Sequence, residues 1–152
     1  MPLNDGNIDY SRLTRKDFRL EMLLGLGQTA QVYLAKAPNG VNVALKIPRR
    51  EVRENPQMRE RFAQEVSLSI SLVHPHLVRG LAGRPTGDGA FLALEYFPEG
   101  SLEDRISKAP LAFPDAVRGL QQIGQVVLFL HQRGIIHQDI KPSNIYLKGP
   151  DF

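Results

Sequence analysis

Cysteine is absent from this 152-residue sequence. That excludes disulfides, thiolate metal sites and a cysteine nucleophile, so any metal must be held by oxygen or imidazole. Charge of one sign is also lacking. Lys and Arg number 19 against 16 Asp and Glu, a net charge of +3, too small to imply a nucleic-acid or membrane partner by itself. No apolar stretch approaches the roughly 20 residues that cross a bilayer, and the first residues carry no apolar signal-peptide core. Repeats and low-complexity tracts are missing too. The chain therefore reads as soluble and cytoplasmic, with 42% hydrophobic and 23% charged residues, enough for a packed core. What it does must be sought in local motifs.

Strand-like segments near Phe18 to Leu24, Gln31 to Ala37 and Val41 to Ile47 are separated by a glycine-containing turn and by Pro38-Asn39-Gly40, which predicts an antiparallel meander. A single helix should follow, capped by Asn55, started by Pro56 and stopped by His74-Pro75. HLVRGLAG and AFLALEYF, joined across Arg84 to Gly89, read as a second hairpin. Beyond Pro98-Glu99-Gly100 the pattern turns helical: first Ser101 to Lys108, then Pro114 to Gln132. In the longer segment Val117, Leu120, Ile123, Val127 and Leu130 recur at three and four residues, and Gly134 stands at the C-cap. Ile145 to Leu147 would form one more short strand. Residues 1–16 read as an extension, 17–97 as a sheet-rich region and 98–152 as the beginning of a helical one, an α+β organisation.

Three motifs carry chemistry. Gly25-Leu26-Gly27-Gln28-Thr29-Ala30 is a glycine pattern whose backbone can approach phosphate oxygens closely. On its own it equally describes an ordinary hairpin, and the strand that follows it argues against a dinucleotide-binding unit. Val43-Ala44-Leu45-Lys46 places an ammonium on an apolar strand, where a solvated lysine would be unremarkable. Glu65, in the middle of the helix 19 positions later, offers the opposite charge that a shielded lysine needs. His137-Gln138-Asp139-Ile140-Lys141-Pro142-Ser143-Asn144 gathers a carboxylate, an ammonium and an amide in one loop. These groups can accept a hydroxyl proton, neutralise a phosphate and bind Mg²⁺.

Taken together and in this order, the motifs resemble a eukaryotic-type protein kinase domain, and H-x-D-x-K-P-x-N is similar to the catalytic loop of its Ser/Thr members. The resemblance implies a five-strand, one-helix N-terminal lobe and the first part of a helical lobe. It implies ATP and Mg²⁺ as cofactors, with a protein Ser or Thr hydroxyl as acceptor. Gly25 and Gly27 would cover the phosphates. Lys46, tethered by Glu65, would hold the α and β phosphates, while Asp139 would be the base, Lys141 would steady the transferred group and Asn144 would ligate Mg²⁺. Leu24, Val32 and Ala44 would roof the adenine and Tyr146 would lie at its floor. Leu94 would be the gatekeeper, and the Glu95 and Phe97 backbone groups would meet the adenine edge.

Two departures stand out. Gln138 replaces the arginine that usually precedes the catalytic aspartate, which predicts independence from activation-loop phosphorylation. Asp151-Phe152 resembles the start of the metal-binding D-F-G, but Lys148 to Asp151 has turn composition and a returning strand should intervene. Asp151 is accordingly read as a turn residue. The chain would then be a kinase domain truncated after the catalytic loop and inactive by itself, with an apolar helix over Pro114 to Gln132 left partly uncovered. The alternative is a nucleotide-binding, pseudokinase-like regulatory module without turnover.

Overall fold

A computed structural model describes residues 8–149. Asp151, expected in a turn, and Phe152 lie outside the described residues. The chain divides into two units, one running up to Val73 with Val78–Tyr96, the other comprising His74–Leu77 and the residues from Phe97 onward.

In the first unit, alternation of apolar and polar residues produces five strands: β1 (Arg19–Leu26), β2 (Ala30–Lys36), β3 (Asn42–Pro48), β4 (Gly80–Arg84) and β5 (Phe91–Glu95). They form one antiparallel sheet in the order β1-β2-β3-β5-β4. The expected meander and second hairpin are both present, and the hairpin docks through β5 rather than β4. β1 runs two residues further than expected, because the turn is closed only at Gly27, whose N–H donates to the Ala30 carbonyl at 2.9 Å. Gly25 is therefore a strand residue, paired with Val32 beside a bulge.

Successive side chains on a strand point to opposite faces. Val43, Leu45, Phe91 and Ala93 are fully buried on one face, where Phe18, Tyr10 and Leu13 pack on them. Tyr10 and Leu13 belong to the segment read as an extension; here Tyr10–Arg12 and Arg15–Asp17 make two short 3-10 turns. On the other face Leu92 and Ala90 meet Val52, Phe62 and Val66.

Those last residues come from two helices. α1 (Arg50–Glu54) was not foreseen; α2 (Pro56–Ser71) was. The α2 start follows from its chemistry: Asn55 Oδ1 accepts from the Gln57 and Met58 N–H groups at 3.0 and 3.1 Å, and Pro56 lacks the N–H that would be unpaired there. α2 crosses β4 at glycines. A Cβ on Gly80 would lie 2.5 Å from the Ser69 carbonyl oxygen, and one on Gly83 would lie 2.6 Å from Val66 Cγ1. Bare backbone at these positions is what lets Phe62 and Val66 reach the sheet.

The second unit holds α3 (Leu102–Lys108) and α4 (Phe113–His131). Ser101 caps α3 reciprocally with Asp104: the Asp104 N–H donates to Ser101 Oγ at 3.2 Å and the Ser101 N–H donates to Asp104 Oδ2 at 3.0 Å. α4 closes as expected at Gly134, whose φ is +70°, with the Ile135 N–H reaching back to the Leu130 carbonyl at 3.0 Å. Its buried residues are Gly119, Val126 and Leu130. Of the apolar series read from the sequence, Leu130 is covered, whereas Leu120 is 69% exposed and Val117 37%. An apolar helix offers more than one stripe, and periodicity alone does not say which one finds a partner. The expected strand over Ile145 to Leu147 reduces to one bridge between Ser101 and Tyr146, flanked by hydrogen bonds from the Leu102 N–H to the Ile145 carbonyl and from the Leu147 N–H to the Gly100 carbonyl.

Candidate active site

The first unit gathers one set of the expected site residues on one sheet face. Register places Val32 opposite Lys46, Lys46 opposite Leu92, and Ala44 opposite Leu94. Alternation therefore sends Val32, Ala44, Lys46 and Leu94 to the side on which α2 packs. Glu65 lies on α2 beside the buried Val66, and its Oε1 is 2.5 Å from Lys46 Nζ, with side-chain exposures of 41% and 23%. This pair spans 19 residues of sequence and joins β3 to α2, which packs on the same sheet through β4. Gly25 sits at the end of β1 on the same sheet. Leu24, in the bulge between Leu23 and Gly25, is 40% exposed. Glu95 pairs with Val43 and points its side chain to the opposite face, so on this face only its backbone is offered.

The second unit assembles the rest. Asp139 is the hub of its loop: Lys141 Nζ lies 3.2 Å from Oδ1, and Asn144 Nδ2 donates to Oδ2 at 2.8 Å and to the Asp139 carbonyl at 2.9 Å. The 3-10 turn Pro142–Asn144, tied by the Asn144 N–H to the Lys141 carbonyl at 2.9 Å, folds the amide back over the carboxylate. Lys141, first of all, and then Asn144 hold the Asp139 carboxyl below the usual carboxylate range. With Nδ2 committed to Asp139, Asn144 Oδ1 accepts no hydrogen bond among the described residues. A Mg²⁺ ion keeps most of its shell as water and phosphate oxygens, so a single amide oxygen of this kind suits it as one protein ligand. No trio of His, Asp or Glu able to hold a metal alone occurs among the described residues.

Tyr146 is 48% exposed, and its ring stacks on Phe97 with centroids 5.9 Å apart and planes at 22°. Two features escaped the sequence reading. His137 Nδ1 accepts the Asp139 N–H at 3.3 Å, a local bond that the two-residue separation could have suggested. Gln138 is the one non-glycine residue with positive φ among the described residues, at +67°. Its substitution was noticed in the sequence and its backbone was not; no residue preference marks glutamine for that conformation.

Comparison with known proteins accords with this arrangement. The family profile described as Protein kinase domain matches residues 18–151. The chain belongs to the protein kinase domain family. Among similar proteins, serine/threonine-protein kinase pkn2 of Myxococcus xanthus is 34% identical over 131 residues, covering 86% of this chain and 16% of that protein. Carbon catabolite-derepressing protein kinase of Secale cereale is 33% identical over 148 residues, 94% of this chain and 29% of its own length. Serine/threonine-protein kinase PknJ of Mycobacterium tuberculosis is 32% identical over 132 residues, with coverages of 86% and 22%. The chain thus spans less than a third of each of these relatives. None of the described helices is long and apolar enough to cross a membrane.

Proposed function

We propose that this chain supplies the ATP-gripping sheet and the catalytic loop of a protein Ser/Thr kinase, acting on a Ser or Thr hydroxyl of a protein substrate in the cytoplasm. The observation that carries this reading is the Lys46–Glu65 ion pair at 2.5 Å, on the face shared by Val32, Ala44 and Leu94. An ammonium fixed by a carboxylate on a packed helix is poised for phosphate oxygens, and the apolar side chains around it suit a purine.

In the catalytic loop, Asp139 orients the acceptor hydroxyl. As the hydroxyl oxygen bonds to the terminal phosphorus, the bond to the bridging oxygen breaks, ADP keeps that electron pair and Asp139 takes the proton. A carboxylate held below the usual range is fully ionised at neutral pH and a weak base at rest, so positioning dominates over proton abstraction. Lys141, already 3.2 Å from Asp139, brings positive charge to the group in transit. Bound Mg²⁺, for which Asn144 Oδ1 is the available ligand, would neutralise phosphate charge. Gln138 in place of arginine supports activity that does not depend on a phosphorylated activation loop.

Calorimetric titration of the chain with MgATP should give a saturable heat that Lys46→Met and Glu65→Gln each weaken at least about tenfold, the loss expected for one charge-assisted contact. In the complete gene product, transfer of the terminal phosphate to a protein acceptor should vanish in Asp139→Ala. Nucleotide binding without transfer would replace the enzyme by a regulatory module. Binding indifferent to Lys46→Met would remove the reading altogether.

A further inference from the structure

The sheet face opposite Lys46 carries a second feature, unused by phosphoryl transfer. Because Val32 and Lys46 point to one side, their neighbours Gln31, Tyr33 and Ile47 point to the other. There an open groove of about 810 Å³ is floored by Leu20, Leu26, Tyr33 and Ile47 and rimmed by Arg15, Arg49, Arg50 and Arg53, with Glu51 the one carboxylate along it. Leu20 and Leu26 are 48% and 61% exposed, so the floor is apolar surface facing water.

The four guanidiniums are not equally engaged. Arg50 Nε is paired with Glu54 at 2.6 Å, and Arg53 Nη1 donates to the Asp88 carbonyl at 3.1 Å. Arg15 and Arg49 make no side-chain hydrogen bond or ion pair among the described residues. The Arg49 Nε is moreover shut off from solvent without a partner. A shielded donor with nothing to bond is destabilising until an acceptor reaches its group.

We propose that this groove is a docking surface for an acidic peptide segment of a partner protein, with carboxylates seated on Arg15 and Arg49 and aliphatic or aromatic side chains on the leucine floor. Charge complementarity selects the sign of the occupant: Arg50 is already answered by Glu54 and Glu51, but Arg15 and Arg49 have no carboxylate partner among the described residues, and these two leave the rim positive, favouring an anionic partner over a basic one. The apolar floor selects against an inorganic anion or a nucleic-acid backbone, neither of which has aliphatic surface to cover Leu20 and Leu26. The concavity suits an extended chain better than a lipid surface. Since the groove and Lys46 lie on opposite faces, the peptide and the nucleotide have no shared side chain to compete for.

Fluorescence anisotropy on the 152-residue chain tests this with a fluorescein-labelled peptide in which glutamates alternate with leucines and phenylalanines, beside its glutamine counterpart. The glutamate peptide should bind saturably and more weakly as salt rises. Its affinity should exceed that of the glutamine peptide, and that of the Arg15→Gln/Arg49→Gln variant, by about tenfold or more, with the MgATP heat unchanged. Because Arg49 is partly buried, Leu20→Gln provides an independent variant at an exposed position and should weaken the peptide severalfold. Equal binding of the two peptides, or undiminished binding by both variants, overturns the proposal. So does arginine-dependent capture of phosphatidylserine vesicles, or arginine-dependent self-association in light scattering, when the glutamate peptide stays unbound.

Discussion

Replacing Gly80 by alanine adds one methyl group, and the structure says where it must go. The new Cβ would stand 2.5 Å from the Ser69 carbonyl oxygen, 2.6 Å from its carbonyl carbon and 2.9 Å from the Ile70 nitrogen. All three are backbone atoms of α2, so no side-chain rotation relieves the clash. Restoring ordinary contact at 3.4 Å requires the helix to retreat from β4 by about 0.9 Å. A gap of that size forfeits about a quarter to a half of the dispersion well at each contact of Phe62 and Val66 with the sheet. Over-packing of this kind costs about 1–3 kcal/mol. At a urea dependence of about 1.5 kcal/mol per molar, the midpoint falls by about 0.7–2 M. Amide exchange of α2 and β4 residues under increasing urea is the suitable assay, since it reports on this unit alone. Gly124→Ala makes the same chemical change within α4, where nothing lies within 4 Å of the added carbon, and should instead stabilise by up to about 1 kcal/mol. Glu65 rides on α2, so Gly80→Ala should also weaken the MgATP heat. If protection of α2 in Gly80→Ala stays within about 0.5 kcal/mol of the parent, α2 does not approach β4 as closely as the Gly80 geometry requires.

Removing the α2 cap by Asn55→Ala should cost about 1 kcal/mol, read as earlier urea unfolding of α2; an unchanged midpoint would deny the cap its role. Lys141→Met should return the Asp139 carboxyl toward its ordinary pKa, observed by carboxyl-carbon NMR titration. The sign is fixed by the direction of the shift. A carboxyl lowered in the folded chain favours folding above its unfolded-chain value, and that contribution is lost as pH falls through the folded value, so the loop network should open only in acid and stay intact through the neutral range. A midpoint that does not move in Lys141→Met would mean the contact does not form in solution. At Gln138, with φ at +67°, glycine should be neutral or stabilising, whereas valine should destabilise by about 1–2 kcal/mol. Thermal melts of the two variants in the same direction would count against a left-handed backbone there.

The readable parts of the molecule are those in which one short stretch contains its own cause. Pro38-Asn39-Gly40 announces a hairpin, and there Gly40 takes φ +82° while Asn39 Oδ1 accepts the Val41 N–H at 3.2 Å. Asn55-Pro56 announces a helix start for equally local reasons. Lys46 and Glu65 were legible together because a shielded ammonium requires a partner and only one helix could bring it. α1 was hidden because five residues, Arg50–Glu54, make little more than one turn, too few for a period to show. The covered side of α4 was hidden because burial belongs to the neighbour, not to the helix. The arginine-rimmed groove was hidden for a third reason: its members run from Arg15 to Arg53, and only the fold brings the 3-10 turn Arg15–Asp17, the end of β3 and α1 together along it. Nothing in the spacing of those arginines distinguishes them from scattered surface charge. The side chains of the loop from His137 to Asn144, by contrast, carry chemistry dense enough to be seen in eight consecutive residues. The geometry then adds what density alone could not, namely that Asn144 reaches Asp139 with its nitrogen, while its oxygen accepts no hydrogen bond among the described residues.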